Sequence, residues 1–500
     1  MSSLKKNIVF NYIGQLYVAF IGILVLPFYL RFMGAEAYGL IGFFTLLQSW
    51  MQLLDMGMTP ALSREIANMR GTEGSGLQMK TLLRSLEVIF LGIAIVTGVS
   101  VFLARHWLAQ EWLSIQELDI HLVSTCIGLM GVMLAIRCFF CLYRGGIEGY
   151  EQQVWLNQYN IVFNTLRYPG ALLVIWLAAG NLLVFFVYQV SLSIAEVLVI
   201  KGKLNKQVAG VSGGSARLSI KEVRRILPFA AGAAYTSGIW VLVTQLDKLL
   251  LSKYLPLKEY GYFSLVAIVS AAILLLSGPV SKAILPRMTV LLSQGKEQDM
   301  LVLYRLATRF IVCIVAPVSL VMSLFSYEIV YIWTGDPEAA KWMQPVLPLF
   351  ALGNGLLAIG AFQYYLQYAH GKLKIHVLYN TVSAVISIPL IVYAAINYGA
   401  IGVGYIWLGL RTVSLLLWTP YVHKVFAPGI HAKWMLKDVL PALFAATGGA
   451  LLAFYMVQGG FSENRLLGLT LIVGAALLSF GCAALIAFGE KIKGFIRERV

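Results

Sequence analysis

Three asparagines and an arginine inside one apolar stretch set the first question. Asn157, Asn160, Asn164 and Arg167 recur at i, i+3, i+7 and i+10, and at 3.6 residues per turn that spacing puts them on one helix face. A polar stripe ending in a guanidinium suits an anion, because arginine offers a planar fork of donors matched to phosphate or carboxylate. Similar stripes occur at Asn7, Asn11 and Gln15, at Gln48, Gln52 and Asp55, and at Gln189, Ser193 and Glu196. Trp407, Arg411, Ser414 and Trp418 share another face. There, aromatic rings flank a cation and could stack on sugar rings while an anionic group is held. Arg137, Lys248 and Lys282 are further cations in apolar surroundings, and Asp55, Glu196 and Asp247 either pair with such cations or carry a coupling proton or sodium ion.

Each stripe has a plainer reading. Amide and hydroxyl side chains commonly hold membrane helices together by hydrogen bonds, and that reading is favoured for any single Asn, Gln or Ser. For Arg167 and Arg411 cavity lining is favoured, because a charge at a helix centre costs roughly 2.5–3.5 kcal/mol on insertion scales. Arg137 and Lys282 lie nearer a helix end, where a long side chain can reach the headgroups. Asp247 beside Lys248 reads equally as a local ion pair. Cys138 and Cys141 form a C-x-x-C without a second pair, and the six histidines show no ligand spacing, so no metal, cofactor or disulfide is expected. Gly145-Gly146 lacks the Lys-Ser/Thr of a nucleotide-binding loop and is placed in a short interhelical loop.

The elements that must position these residues are membrane helices. The chain is 59% hydrophobic and only 12% charged, with a mean hydropathy of +0.79, against roughly 25% charged residues in a soluble domain. Fourteen apolar runs are long enough for a bilayer core of about 30 Å, at about 8–30, 36–59, 82–104, 120–142, 156–178, 180–200, 226–250, 260–284, 306–327, 343–368, 375–396, 401–422, 438–457 and 465–488. The runs lack strand alternation, which excludes a barrel. The net charge of +15 alternates between loops and forms no nucleic-acid stripe. Most Lys and Arg fall in segments that are cytoplasmic if both termini are inside, while Arg31, Arg105, Lys253, Lys258, Lys341 and Arg465 fall outside.

A basic, glycine-containing stretch over 201–225 divides the chain. Sliding the sequence by 222 residues aligns Arg31-Phe32-Met33 with Lys253-Tyr254-Leu255, Tyr38-Gly39 with Tyr260-Gly261, Leu53-Leu54 with Leu275-Leu276, and Ala61 with Ala283. Six helices per repeat make the repeats parallel, with a substrate site expected between halves. The expected organisation is an N-lobe over 1–200, a cytoplasmic linker over 201–225, a C-lobe over 226–425, and two accessory helices with a basic tail over 426–500.

The stretch from Leu26 to Ala67, LPFYLRFMGAEAYGLIGFFTLLQSWMQLLDMGMTPALSREIA, resembles the opening of Wzx-type polysaccharide-transport flippases of the multidrug/oligosaccharidyl-lipid/polysaccharide (MOP) superfamily. GIEGYEQQVWLN (146–157), QLDKLLLSKYLPLKEYGYFS (245–264), ILPRM (284–288), EIVYIWTG (328–335) and QYAHGKLK (367–374) are similar in order and spacing. The resemblance implies an all-α MATE/MOP-like fold of two six-helix lobes around a cavity, here with two further helices. It implies a non-enzymatic flippase in the bacterial inner membrane, moving undecaprenyl-pyrophosphate-linked oligosaccharide outward for O-antigen, capsule or exopolysaccharide. An ion gradient of H+ or Na+ would drive it, and polymerase or chain-length proteins are candidate partners. Arg167 and Arg411, with Arg137, Lys248 and Lys282, would hold anionic groups.

A lipid II flippase is the alternative lipid substrate reading, since those relatives have fourteen helices. A multidrug/cation antiporter would need acidic midplane residues where this chain has arginine. The loop PALSREIANMRG lacks the pattern of major-facilitator transporters, and the longest outer loop, near Arg105 to Asp119, is too short for a glycosyltransferase or polymerase domain.

Overall fold

The computed structural model describes residues 2–69, 76–209, 218–457 and 465–497. Among them the chain is helical, with no strand beyond an isolated bridge between Ser114 and Pro256. In lipid this is what backbone satisfaction demands, since a helix pairs its own N–H and C=O groups. The chain packs as two compact units, Met1–Gly261 and Tyr262–Val500.

The first unit holds α1 (Ser2–Met33), α2 (Ala35–Leu54), α3 (Met58–Met69), α4 (Gly76–Trp107), α5 (Ile120–Gly149), α6 (Gln153–Thr165), α7 (Ala171–Leu177), α8 (Leu182–Ala209) and α9 (Ile220–Tyr254). A π-helical turn, Leu108–Trp112, extends α4, and another, Leu166–Gly170, joins α6 to α7. The second unit takes most of α10 (Leu257–Ser293), then α11 (Glu297–Leu324), α12 (Ser326–Thr334), α13 (Pro337–Met343), α14 (Leu347–Gly360), α15 (Phe362–Ala369), α16 (Lys374–Val413), α17 (Thr419–Phe426), α18 (Ile430–Lys433), α19 (Leu440–Val457) and α20 (Arg465–Arg497).

Ten helical stretches among the described residues are long and apolar enough to cross a bilayer, and Phe20–Met33 is a shorter apolar one. The expected fourteen crossings are thus not all recovered as long apolar helices. One reason lies in the fifth expected span, which is interrupted at Leu166–Gly170 by Pro169. Conversely, Lys374–Phe426 is 53 residues, about 80 Å at 1.5 Å per residue, far more than one bilayer. It is broken at Gly399, whose φ of 57° and ψ of −144° are non-helical.

Helix α9 belongs to the first unit. Ser219 caps it by accepting the Glu222 N–H at 3.4 Å, a capping-box spacing. Arg225 reaches Glu65 on α3 at 2.5 Å, and a Cβ at Gly57 would run into the Ala230 carbonyl. Of the basic stretch over 201–225, Lys201 to Ala209 continue α8 and Ile220 to Arg225 begin α9; Gly210, Gly213, Gly214 and Arg217 lie outside the described residues, as does Arg70.

Gly145 and Gly146 sit inside α5 and not in a loop, which corrects the sequence reading. With Gly149 they form a small-residue face, the usual means of close helix approach in membranes. A Cβ at Gly145 would lie 2.8 Å from the Thr59 carbonyl oxygen, one at Gly149 2.7 Å from that of Ser63, and one at Gly146 2.7 Å from Leu204. Thus α3 and α8 close on α5 only because side chains are missing.

In the second unit α19 and α20 pack on α11. Asp438, fully buried, accepts from Arg305 Nε and Arg309 Nε, each at 2.5 Å. Next to it Trp434 Nε1 donates to Thr308 Oγ1 at 3.0 Å, Tyr304 Oη meets His423 Nε2 at 2.7 Å, and His423 Nδ1 meets His431 Nδ1 at 2.9 Å.

Gly149→Leu is expected to destabilise the protein by about 1–3 kcal/mol through overpacking against backbone, whereas Gly202→Ala, at a position with open space, is expected to be neutral. Thermal unfolding of the purified variants in detergent checks both.

Candidate functional site

The site is built on the break between α6 and α7. Pro169 has no N–H and cannot continue an α-helical ladder, and the chain answers with the π-helical turn Leu166–Gly170. Such wide turns leave carbonyls within reach of outside donors, and membrane helices tolerate them when neighbours re-satisfy the backbone. Three side chains do so here. Tyr29 Oη donates to the Tyr168 carbonyl at 2.8 Å, Tyr188 Oη to that of Leu166 at 2.8 Å, and Gln189 Nε2 to that of Arg167 at 3.2 Å. On the preceding residue, Tyr17 Oη and Thr165 Oγ1 share a 2.6 Å hydrogen bond. Helices α1 and α8 therefore grip the turn that carries Arg167.

Arg167 Nη2 pairs with Glu196 Oε2 on α8, with the two side chains 14% and 8% exposed. Tyr159 Oη donates to the Glu196 backbone carbonyl at 2.9 Å, fixing α6 against α8 at that level. Arg137 on α5 is close enough to interact electrostatically with both Arg167 and Glu196, and its guanidinium lies 6.0 Å from the Phe140 ring. One guanidinium thus pairs with the carboxylate and a second lies within electrostatic range of it. Removing such charges from water is costly, and the mutual attraction is correspondingly strong. The arrangement keeps a net positive charge and can accept a further anion.

The rest of the expected stripe serves structure. Asn157 is buried against Gly14 of α1, where a Cβ would lie 3.5 Å from its Oδ1. Asn164 Nδ2 turns back to the Asn160 carbonyl at 2.7 Å. Asp55 ends α2 and accepts from Thr59 at the start of α3, including the Thr59 backbone N–H at 3.3 Å. Asp247 is buried and pairs with Lys248 at 3.3 Å, while Lys248 Nζ also donates to the Thr244 carbonyl at 2.7 Å. This local pair is the plainer of the two sequence readings. The side chains of Asn7, Asn11, Gln15 and Gln52 lie outside the described residues.

The second unit carries Arg411, buried with its guanidinium carbon 4.2 Å from the Trp407 ring centroid. The Trp407 ring is also stacked on Phe350 at 6.2 Å and 20°, and its Nε1 donates to Asn354 Oδ1 at 3.2 Å. Trp407 therefore supports the cation and is not an open platform for a sugar. Trp418 stacks on Tyr379 at 4.6 Å and donates to Gln363 Oε1 at 3.2 Å, and Tyr379 Oη reaches Ser414 Oγ at 2.6 Å. Lys282 on α10 is exposed.

Sequence reasoning found Arg167, Arg137 and Glu196 and offered pairing with a cation as one reading of Glu196 without naming which cation, and it missed Tyr29 and Tyr188. Pro169, in the middle of an apolar run, was the signal that tyrosines would be needed.

A model of the family described as "Polysaccharide biosynthesis protein" matches residues 4–292. The chain belongs to this polysaccharide biosynthesis family. It is 22% identical over 409 residues to a protein of Shigella flexneri named "Putative O-antigen transporter", covering 81% of this chain and 94% of that one. Its fold is that of the MOP superfamily. The lipid II flippase MurJ in an inward closed conformation matches with a TM-score of 0.77 and 14% identity, over 97% of this chain and 100% of that one. An inward-facing multidrug resistance MATE transporter matches with 0.66 and 13% identity, over 83% and 96%. A MOP transporter from Pyrococcus furiosus matches with 0.56 and 14% identity, over 84% and 96%. The family member described here is thus a multi-pass helical membrane protein whose relatives are transporters and flippases.

The ion pair has a thermodynamic signature. Arg167→Ala leaves Glu196 buried without its partner and should cost about 3–5 kcal/mol, whereas the Arg167→Ala/Glu196→Ala double variant should recover much of that loss. A double-mutant cycle on thermal unfolding reads the difference.

Proposed function

We propose that this protein is a flippase that carries undecaprenyl-pyrophosphate-linked oligosaccharide units from the cytoplasmic to the periplasmic leaflet of a bacterial inner membrane, with both termini cytoplasmic. The observation that carries the reading is the excess of cation at Glu196 in the first unit, with Arg167 paired to it and Arg137 within electrostatic range, in a chain of a polysaccharide biosynthesis family. A diphosphate is the part of such a substrate that lipid excludes most strongly, and fixed guanidiniums compensate for the water it loses. Glu196 keeps Arg167 neutralised when no substrate is present. Substrate phosphate competes with that carboxylate, which limits affinity and permits release in the other state.

Arg411, braced by Trp407, is a second anion contact, and Gln363, Ser414, Trp418 and Tyr379 supply the amide, hydroxyl and ring chemistry that recognises sugars. A proton or sodium gradient is the proposed driving force, with Glu196 the candidate carboxylate. The N- and C-lobe division, the linker and the accessory role of the last two helices remain part of this proposal. A lipid II flippase is the second reading, favoured by the likeness to MurJ over nearly the whole of both chains. A carrier of cationic drugs is disfavoured, because the buried charge near Glu196 is positive.

Deletion of the gene is expected to trap lipid-linked oligosaccharide on the cytoplasmic face, measured with a membrane-impermeant glycan label on spheroplasts. Normal outward display would reject the reading, and trapped lipid II would select the second. In the restored strain, Arg167→Ala or Arg411→Ala should lower surface polysaccharide by about tenfold or more at unchanged membrane abundance; Arg167→Lys should restore part of it if charge matters more than the planar fork.

A further inference from the structure

One end of the first unit is fastened by polar contacts that the arginine site does not use. Glu36, in the first turn of α2, is 2% exposed. Its carboxylate accepts the backbone N–H groups of Gln116 at 2.5 Å, Glu117 at 2.7 Å and Leu118 at 2.8 Å. The α4–α5 loop is thereby tied to α2. The same loop is tied to the α9–α10 connection, where Leu257 N donates to the Ser114 carbonyl at 2.9 Å and Trp112 Nε1 to Ser252 Oγ at 3.0 Å. The Lys253 ammonium lies 5.2 Å from the Trp112 ring centroid.

Beneath these bonds two backbones cross. A Cβ at Gly39 would run into the Leu257 carbonyl, and one at Gly261 would lie 2.5 Å from the Ala35 carbonyl oxygen and 3.0 Å from Gly39 N. Gly39 and Gly261 are equivalent in the 222-residue repeat, and so are Ala35 and Leu257. The contact is therefore reciprocal, each glycine meeting the repeat-mate of its counterpart's neighbour, as at a two-fold axis.

We propose that this clasp is the outer gate of the transporter. Its fastening is a single carboxylate, two loop hydrogen bonds and a glycine crossing, at which the buried Leu257 side chain lies against Gly39. Three bonds to one charged acceptor make the closed state depend strongly on that residue. The assignment to the outer face rests on the orientation proposed above, in which α1 leaves the cytoplasm. Release of Glu36 frees the α4–α5 loop and lets the two Tyr-Gly segments separate.

The test uses the full chain in intact cells. Leu257→Cys places a thiol at a position that is fully buried here; its labelling by an externally added, membrane-impermeant maleimide is expected to be slow with Glu36 present and about tenfold faster with Glu36→Gln. Should that variant fail to reach the membrane, Trp112→Phe keeps the ring, loses one hydrogen bond and should give a smaller rise. Cross-linking a Ser114→Cys/Pro256→Cys pair is expected to stop polysaccharide export, with recovery on reduction. A labelling rate indifferent to Glu36, labelling from the cytoplasmic side alone, or undiminished export by the cross-linked protein would each overturn the gate. Because labelling needs no substrate, a wrong flippase reading would show as normal oligosaccharide display in the deletion strain while the Glu36 effect persisted.

Discussion

A proline in the middle of an apolar helix imposes the constraint around which the first unit is arranged. Pro169 withholds one N–H and opens a π-helical turn, and in a medium without water the carbonyls so exposed must find donors from elsewhere. Tyr29 of α1 and Tyr188 and Gln189 of α8 meet that need. The same three bonds aim Arg167 at Glu196, about two turns further along α8. A defect in the backbone and the charge pair beside it are thus one structural unit, and the tyrosines that satisfy the first position the second.

Buried charge recurs with different partners and different consequences. Asp438 accepts from two arginines of α11 and anchors the segment that leads into α19, a closed arrangement in which the carboxylate has both its oxygens engaged. Asp247 and Lys248 are neighbours in sequence and neutralise each other locally. Around Glu196, as around Asp438, arginine outnumbers carboxylate, with Arg167 bonded and Arg137 within electrostatic range. The Glu196 pair stands beside the interrupted stretch Leu166–Gly170, and the proposed anion contact is put there.

Small residues do for the packing what the ion pairs do for the charges. Gly145, Gly146 and Gly149 let α3 and α8 approach α5, and Gly39 and Gly261 let two repeat-related segments cross at backbone distance. The first group was misread from sequence as a loop because Gly-Gly is a turn signal in soluble proteins, whereas between membrane helices it marks close approach. The repeat itself was visible in Tyr38-Gly39 and Tyr260-Gly261; that these pairs touch was not, because an internal similarity says which residues are equivalent and nothing of where the axis passes.

The amino-acid sequence by itself determined that the chain is a bundle of membrane helices, since only self-paired backbones can carry so long a series of apolar runs through lipid. It also marked the charges that lie within those runs, where lipid makes them costly. Spacing put Asn157, Asn160, Asn164 and Arg167 on one expected face. The tertiary structure alone decided what each member of that face does. Asn164 returns to its own helix, Asn157 packs on Gly14, and Arg167 crosses to Glu196. Trp407, read as a sugar platform, is enclosed by Phe350 and Arg411. Helical period settles direction within one helix, whereas pairing depends on which neighbour stands opposite, and that is set by packing between segments far apart in the chain.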